Sequence, residues 1–205
     1  MRTHRVAVVL ASCALASSLG SALAVSAAPA GAASGSYFKI KEYVNASTFV
    51  KAENQTVVTP TGMFTGKLNT TTGKLKGNLK LPSSKSPVAL AGVGLAHATI
   101  VMAPTRPVTG KVNFQKFTIT STSQFYIDVK SLTPNGTSVN LVGNSCKTAK
   151  PITLTLTGPF VVIGRSTFTA TFTIPPFANC LALTPLLTQQ VSGPGNVITA
   201  IFSPA

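Results

Sequence analysis

Thr167-Phe168-Thr169-Ala170-Thr171-Phe172-Thr173-Ile174 places four threonines on one face of an extended chain and Phe168, Ala170, Phe172 and Ile174 on the other. A period of two suits a strand and not a helix, whose faces return every ~3.6 residues. Ile152, Leu154 and Leu156 alternate in the same way with Thr153, Thr155 and Thr157. The step recurs through Phe117 and Ile119, through Phe125, Ile127 and Val129, and through Leu75, Leu79 and Leu81. One apolar face and one polar face are the mark of half-buried antiparallel strands.

Turn residues separate these runs. Pro134-Asn135-Gly136 lies between two alternating segments and predicts a hairpin, and Asn69 to Gly73 predicts a second reversal. The strings Thr65-Gly66-Lys67-Leu68, Thr72-Gly73-Lys74-Leu75 and Thr109-Gly110-Lys111-Val112 look alike, but their unequal spacing argues against a solenoid and they read as repeated turn exits. One segment has helix punctuation, with Thr184 as N-cap, Pro185 at the first helical position and Gly193 past the end. No linker or charge block divides the chain after its first 33 residues. The expectation is one all-β domain over residues 34–205, an antiparallel β-sandwich or β-barrel of about 9 to 12 strands with one short C-terminal helix.

Residues 1–33 predict a secretory signal peptide. Arg2 and Arg5 precede an apolar run from Val6 to about Leu23, and the segment ends in Ala30-Gly31-Ala32-Ala33 with small residues suited to cleavage. Leu10-Ala11-Ser12-Cys13 matches a lipoprotein box, yet cutting there would leave Ala14 to Ala24 as a hydrophobic run beyond the lipid, so Cys13 is expected to leave with the signal. No later segment has the roughly 18 to 20 apolar residues of a transmembrane helix. The expected location is secreted, extracellular or associated with the cell wall.

Removing Arg2 and Arg5 from the 17 basic residues leaves 15 against Glu42, Glu53 and Asp128, so the processed chain carries 15 − 3 = +12, with His97 its remaining histidine. Proton-transfer catalysis needs His, Asp or Glu brought together, and four such side chains show no spacing that would pair them. Gly143-Asn144-Ser145-Cys146 and Gly164-Arg165-Ser166 are not nucleophile elbows. Zinc and calcium sites need clusters of His and Cys or of carboxylates. The sequence therefore points to no enzyme, no metal and no cofactor.

Cys146 and Cys180 are the cysteines left after processing, in a compartment where disulfides persist, so they are expected to be bonded. The bond would join the start of the Ile152–Thr157 strand to the end of the Thr167–Ile174 strand. As an antiparallel pair those strands would bring the cysteines together, which favours an intramolecular bond and a monomer.

The Ala-rich signal, the Gly-Lys-Leu hairpin ending Leu79-Lys80-Leu81-Pro82, the start Cys146-Lys147-Thr148 and the run from Ile174-Pro175-Pro176-Phe177-Ala178-Asn179-Cys180 to Ser192-Gly193-Pro194-Gly195-Asn196 together resemble a group of secreted, β-rich actinobacterial proteins of uncharacterised function. The resemblance covers most of the processed chain. It implies secretion and paired cysteines, and it brings no catalytic residues.

Lys74, Lys76 and Lys80 alternate with Leu75, Leu79 and Leu81, with Lys67 and Lys85 close by, so one strand face is expected to be strongly positive. Outside a membrane it could hold cell-wall polymers, lipid headgroups or a protein partner. Nucleic acid is not expected, since secretion removes the usual target and no aromatic-interleaved basic motif is present. The expected function is a non-enzymatic envelope-associated β-domain binding an anionic component or a protein partner. The alternative is a carrier of an apolar ligand inside the fold, motivated by an expected inward face of Phe117, Phe125, Phe168 and Phe172.

Overall fold

A computed structural model describes residues 36–161 and 163–205, so the expected signal peptide and Cys13 lie outside the described residues. Where apolar and polar residues alternate, the chain is extended: β1 Tyr37–Val50, β2 Gln55–Asn69, β3 Lys74–Lys80, β4 Ser84–Leu90, β5 Gly94–Pro104, β6 Val108–Asn113, β7 Thr118–Pro134, β8 Lys147–Thr148, β9 Ile152–Pro159, β10 Ser166–Ile174 and β11 Phe177–Ala178. A helix, α1 Thr184–Val191, then leads to β12 Gly193–Pro204. No helix among the described residues is long and apolar enough to cross a membrane.

The strands pair antiparallel in the order β10-β12-β1-β2-β3-β6-β7-β5-β4. At 17 residues, β7 outruns its neighbours. Its first half lies between β6 and β9, whereas its second half, from Phe125, pairs with β5. β9 and β10 come within 8 Å, Cα to Cα, without a ladder between them. The sheet thus stays open and folds over a shared core in a sandwich-like all-β arrangement. Phe125, Ile152, Leu154, Phe168, Phe172 and Ile198 fill one part of that core, and Val44, Phe64, Leu68, Leu75, Val108 and Val112 fill another.

Several local expectations are corrected. Phe117 does not face inward: it sits in the β6–β7 turn, 69% exposed. Its φ of 49° breaks the strand, so the alternation with Ile119 fails to continue through it. The Thr-Gly-Lys strings are strand interiors more than turn exits. Gly66 and Gly77 are cross-strand partners, and a Cβ on either would stand 2.9 or 2.5 Å from the Phe64 ring. Glycine is there because the ring needs the space. Only Gly73 sits in a turn, at φ 70°, closing the expected Asn69–Gly73 reversal.

Pro134-Asn135-Gly136 does turn the chain, with Gly136 at φ 78°, but residues 137–142 return without strand pairing. Asn140 takes over the backbone bonding there, its Oδ1 accepting from the amides of Leu132 and Val142 at 3.1 and 3.2 Å. A side chain has replaced a ladder. At the helix, a single 3-10 turn over Leu181–Leu183 precedes α1, so Thr184 is the first helical residue and not the cap. Its Oγ1 accepts from the Cys180 amide at 2.9 Å and donates to the Leu181 carbonyl at 3.0 Å, bracing that junction.

Cys146 and Cys180 are bonded, 34 residues apart, and both are buried. The strands they were expected to tie are not paired with each other, since β9 pairs with β7 and β10 with β12. Pro151, Pro175 and Pro176 interrupt the chain on the cysteine side of each strand. The short β8 and β11 pair there instead, Phe177 opposite Thr148, and the disulfide lies against that ladder.

Candidate functional site

In a strand, residues two apart share a face. Lys39 and Lys41 of β1, Lys67 of β2, Lys74, Lys76 and Lys80 of β3 and Lys111 of β6 are all exposed on the outer face of adjacent strands. Register then decides their spacing. Lys39 is directly opposite Lys67, Lys67 is directly opposite Lys76, and Lys74 is directly opposite Lys111. Directly opposed residues have Cβ atoms about 5 Å apart, and like charges so placed repel. The flexible lysine arms let the ammonium groups splay apart and salt screens what repulsion remains. Lys39, Lys41, Lys67, Lys76, Asn78 and Pro107 line an open groove of about 500 Å³.

No carboxylate relieves this row. Glu42 follows Lys41 but its side chain belongs to the opposite face, where it lines an interior cavity with Ile40, Phe64 and Leu75. Asp128 is 2.9 Å from Lys130, the one ion pair among the described residues. Glu53 is in the β1–β2 turn and lines a different cavity. No cluster of three His, Cys, Asp or Glu side chains lies together among the described residues.

Of the five lysines expected to form the site, Lys67, Lys74 and Lys76 come together. Lys80 shares their face farther along β3, opposite Met63. Lys85 does not join them: it lies on β4, opposite Thr99, at the far end of the strand order. Lys39, Lys41 and Lys111 complete the patch. Two signals could have found them, the Lys39-Ile40-Lys41 alternation and the likeness of Thr109-Gly110-Lys111 to Thr72-Gly73-Lys74.

Burial in its apolar surroundings pushes the Glu42 carboxyl above the usual carboxylate range. The folded state therefore holds this proton more tightly than the unfolded chain. Stability from the group is complete below the ordinary carboxylate pKa and is lost as pH rises through the raised, folded-state value. Glu42→Gln is expected to be more stable than the parent at neutral pH and to lose that advantage near pH ~4. Denaturant midpoints of both proteins across that range check it; equal curves would show that Glu42 pays no desolvation cost.

Three interior cavities among the described residues measure about 90, 70 and 40 Å³, each below the roughly 300 Å³ of pockets for small organic ligands. Phe125, Phe168 and Phe172 pack as core instead. Set beside known proteins, the chain finds no match in any family model, curated protein or solved structure.

Proposed function

We propose that this protein is a non-enzymatic, secreted or envelope-associated β-domain whose lysine row binds an anionic polymer of the cell envelope. The observation that carries the reading is the register of Lys39, Lys67 and Lys76, three like charges placed side by side with no carboxylate between them. A folded protein gains nothing from that repulsion, and an anion with repeated charges removes it. The groove beside the row is open along the sheet, which suits a chain-like ligand better than a compact one. The signal-like first 33 residues, the buried disulfide and the resemblance to secreted actinobacterial proteins support a place outside the membrane.

Retention on isolated cell walls tests it. The parent is expected to bind at low salt and to be released as ionic strength shortens the Debye length from about 30 Å at 0.01 M to about 3 Å at 1 M. The double variant Lys67→Gln, Lys76→Gln is expected to bind roughly tenfold more weakly, at about 1 kcal/mol or less for each charge. Lys85→Gln, outside the row, is expected to bind as the parent does. Retention insensitive to salt, or lost equally in the Lys85 variant, would refute this assignment of the face.

A further inference from the structure

The end of the fold reached by the β6–β7 turn displays an unusual amount of apolar surface. Phe117 is 69% exposed and Ile163 88% exposed, with Phe114 beside them at 40%. Ladder register puts these loops together: Asn113 opposes Thr118, Thr118 opposes Pro159, and the Phe160 amide donates to the Phe117 carbonyl at 2.7 Å. The Phe114 and Phe160 rings meet edge to face at 6.3 Å. Tyr37, at the start of β1 and level with the Asn69 turn, is exposed at the same end.

The turn is built to hold Phe117 out. Asn113 Oδ1 accepts from the amides of Gln115 and Lys116, each at 3.0 Å, fixing the turn. That leaves Phe117 at φ 49°, a left-handed conformation in which glycine or asparagine is usual and a bulky aromatic is an outlier. Folding alone would prefer glycine there. The charge of the two loops is all of one sign: Lys116 and Arg165 lie in them and Lys111 lies just before the first, and neither loop carries an acidic residue. A second copy of the chain would set like charges against each other, so the charge pattern favours an acidic lipid surface over self-association.

We infer that this end docks on anionic bilayers, seating Phe114, Phe117 and Ile163 at the boundary between headgroups and acyl chains while Lys111, Lys116 and Arg165 meet the phosphates. Exposed aromatic and aliphatic tips flanked by cations are suited to that boundary, where each ring buries apolar surface and each cation gains from the negative potential. Phe114, Phe117, Ile163, Lys116 and Arg165 lie outside the lysine row and Lys111 alone is shared with it, so the docking stands whether or not wall retention is found.

The chain contains no Trp, which makes a single introduced one a clean reporter. The test uses the polypeptide from Ser34, which keeps the whole compact unit Gly35–Ala205 and removes the apolar signal segment that would itself bind lipid. Phe117→Trp is expected to shift its emission to the blue on phosphatidylcholine vesicles containing about 30 mol % phosphatidylglycerol, and far less on pure phosphatidylcholine. Val58→Trp, exposed on β2 near the opposite end, is expected not to shift. Phe117→Gly should fold at least as stably as the parent and sediment with the acidic vesicles about tenfold more weakly. Lys116→Gln with Arg165→Gln should weaken sedimentation by roughly 25-fold, about fivefold for each charge. No blue shift, equal shifts in both Trp variants, undiminished sedimentation of Phe117→Gly, or a dimer abolished by Phe117→Gly would overturn the inference.

Discussion

Reduction of the Cys146–Cys180 bond is expected to lower the stability of the folded chain by about 3 to 4 kcal/mol. The bond closes a loop of 34 residues, and a cross-link over that length removes about this much chain entropy from the unfolded state. For a domain of this size the loss corresponds to a fall of roughly 10 °C in Tm. The structure adds a local consequence. β8 and β11 are two residues each, too short to persist as a ladder alone, and Thr148 of β8 is fully buried with its Oγ1 accepting from the Ile127 amide. Without the disulfide, that ladder and the Cys180–Thr184 junction of α1 should open first, before the sheet. Thermal unfolding with and without reductant, together with amide exchange, measures both effects. An unchanged Tm, or protection lost first in β1 and β2, would contradict this account.

The all-β class and the alternation of buried and exposed residues were legible because each depends on local spacing, and the cysteine pair because two cysteines remain in the expected processed chain. Thr153 to Thr157 and Thr167 to Thr173 are exposed where the period of two puts them, and their apolar neighbours are mostly buried. What escaped was pairing at a distance. Nothing local to β9 says that its partner is β7, since that choice follows from the length of β7, whose mostly Thr, Ser and apolar sequence does not advertise it. The lysine site failed at one position for a similar reason. Lys85 is near Lys80 in sequence, but Pro82 and Ser83 carry the chain off to β4, and proximity along the chain ceases to mean proximity in space. Lys39 and Lys111 are distant in sequence and arrive on the same face only through register. Phe117 was misplaced because an apolar residue in a period-two position is ordinarily core; the Asn113 side chain that captures the turn breaks the period just before it.

Phe64→Ala is expected to be among the most damaging single changes outside the disulfide, costing about 3 to 5 kcal/mol. The ring is buried, meets Phe202 edge to face at 6.2 Å and fills the space left by Gly66 and Gly77. Gly66→Ala and Gly77→Ala should each cost about 1 to 3 kcal/mol through overpacking. The pair of glycines then separates ring from backbone. A Cβ at Gly66 meets the Phe64 ring at 2.9 Å and the Lys76 carbonyl at 3.0 Å, so removing the ring leaves a contact that a small shift relieves. A Cβ at Gly77 meets the Thr65 carbonyl at 2.6 Å, an obstacle that remains. In the Phe64→Ala background Gly66→Ala should therefore become nearly neutral or fill part of the cavity, with a coupling of about 1 kcal/mol or more, whereas Gly77→Ala should stay costly. Denaturant midpoints for the two double-mutant cycles decide it, and equal coupling in both would show that the ring alone dictates the glycines. The cycles also bear on the surface. Lys67 and Lys76 follow and precede these glycines in sequence, so a register held by close backbone approach beneath them keeps their charges opposed. Gly77→Ala should weaken wall retention together with stability, while Lys67→Gln and Lys76→Gln should weaken retention without lowering stability, since each removes a like-charge repulsion.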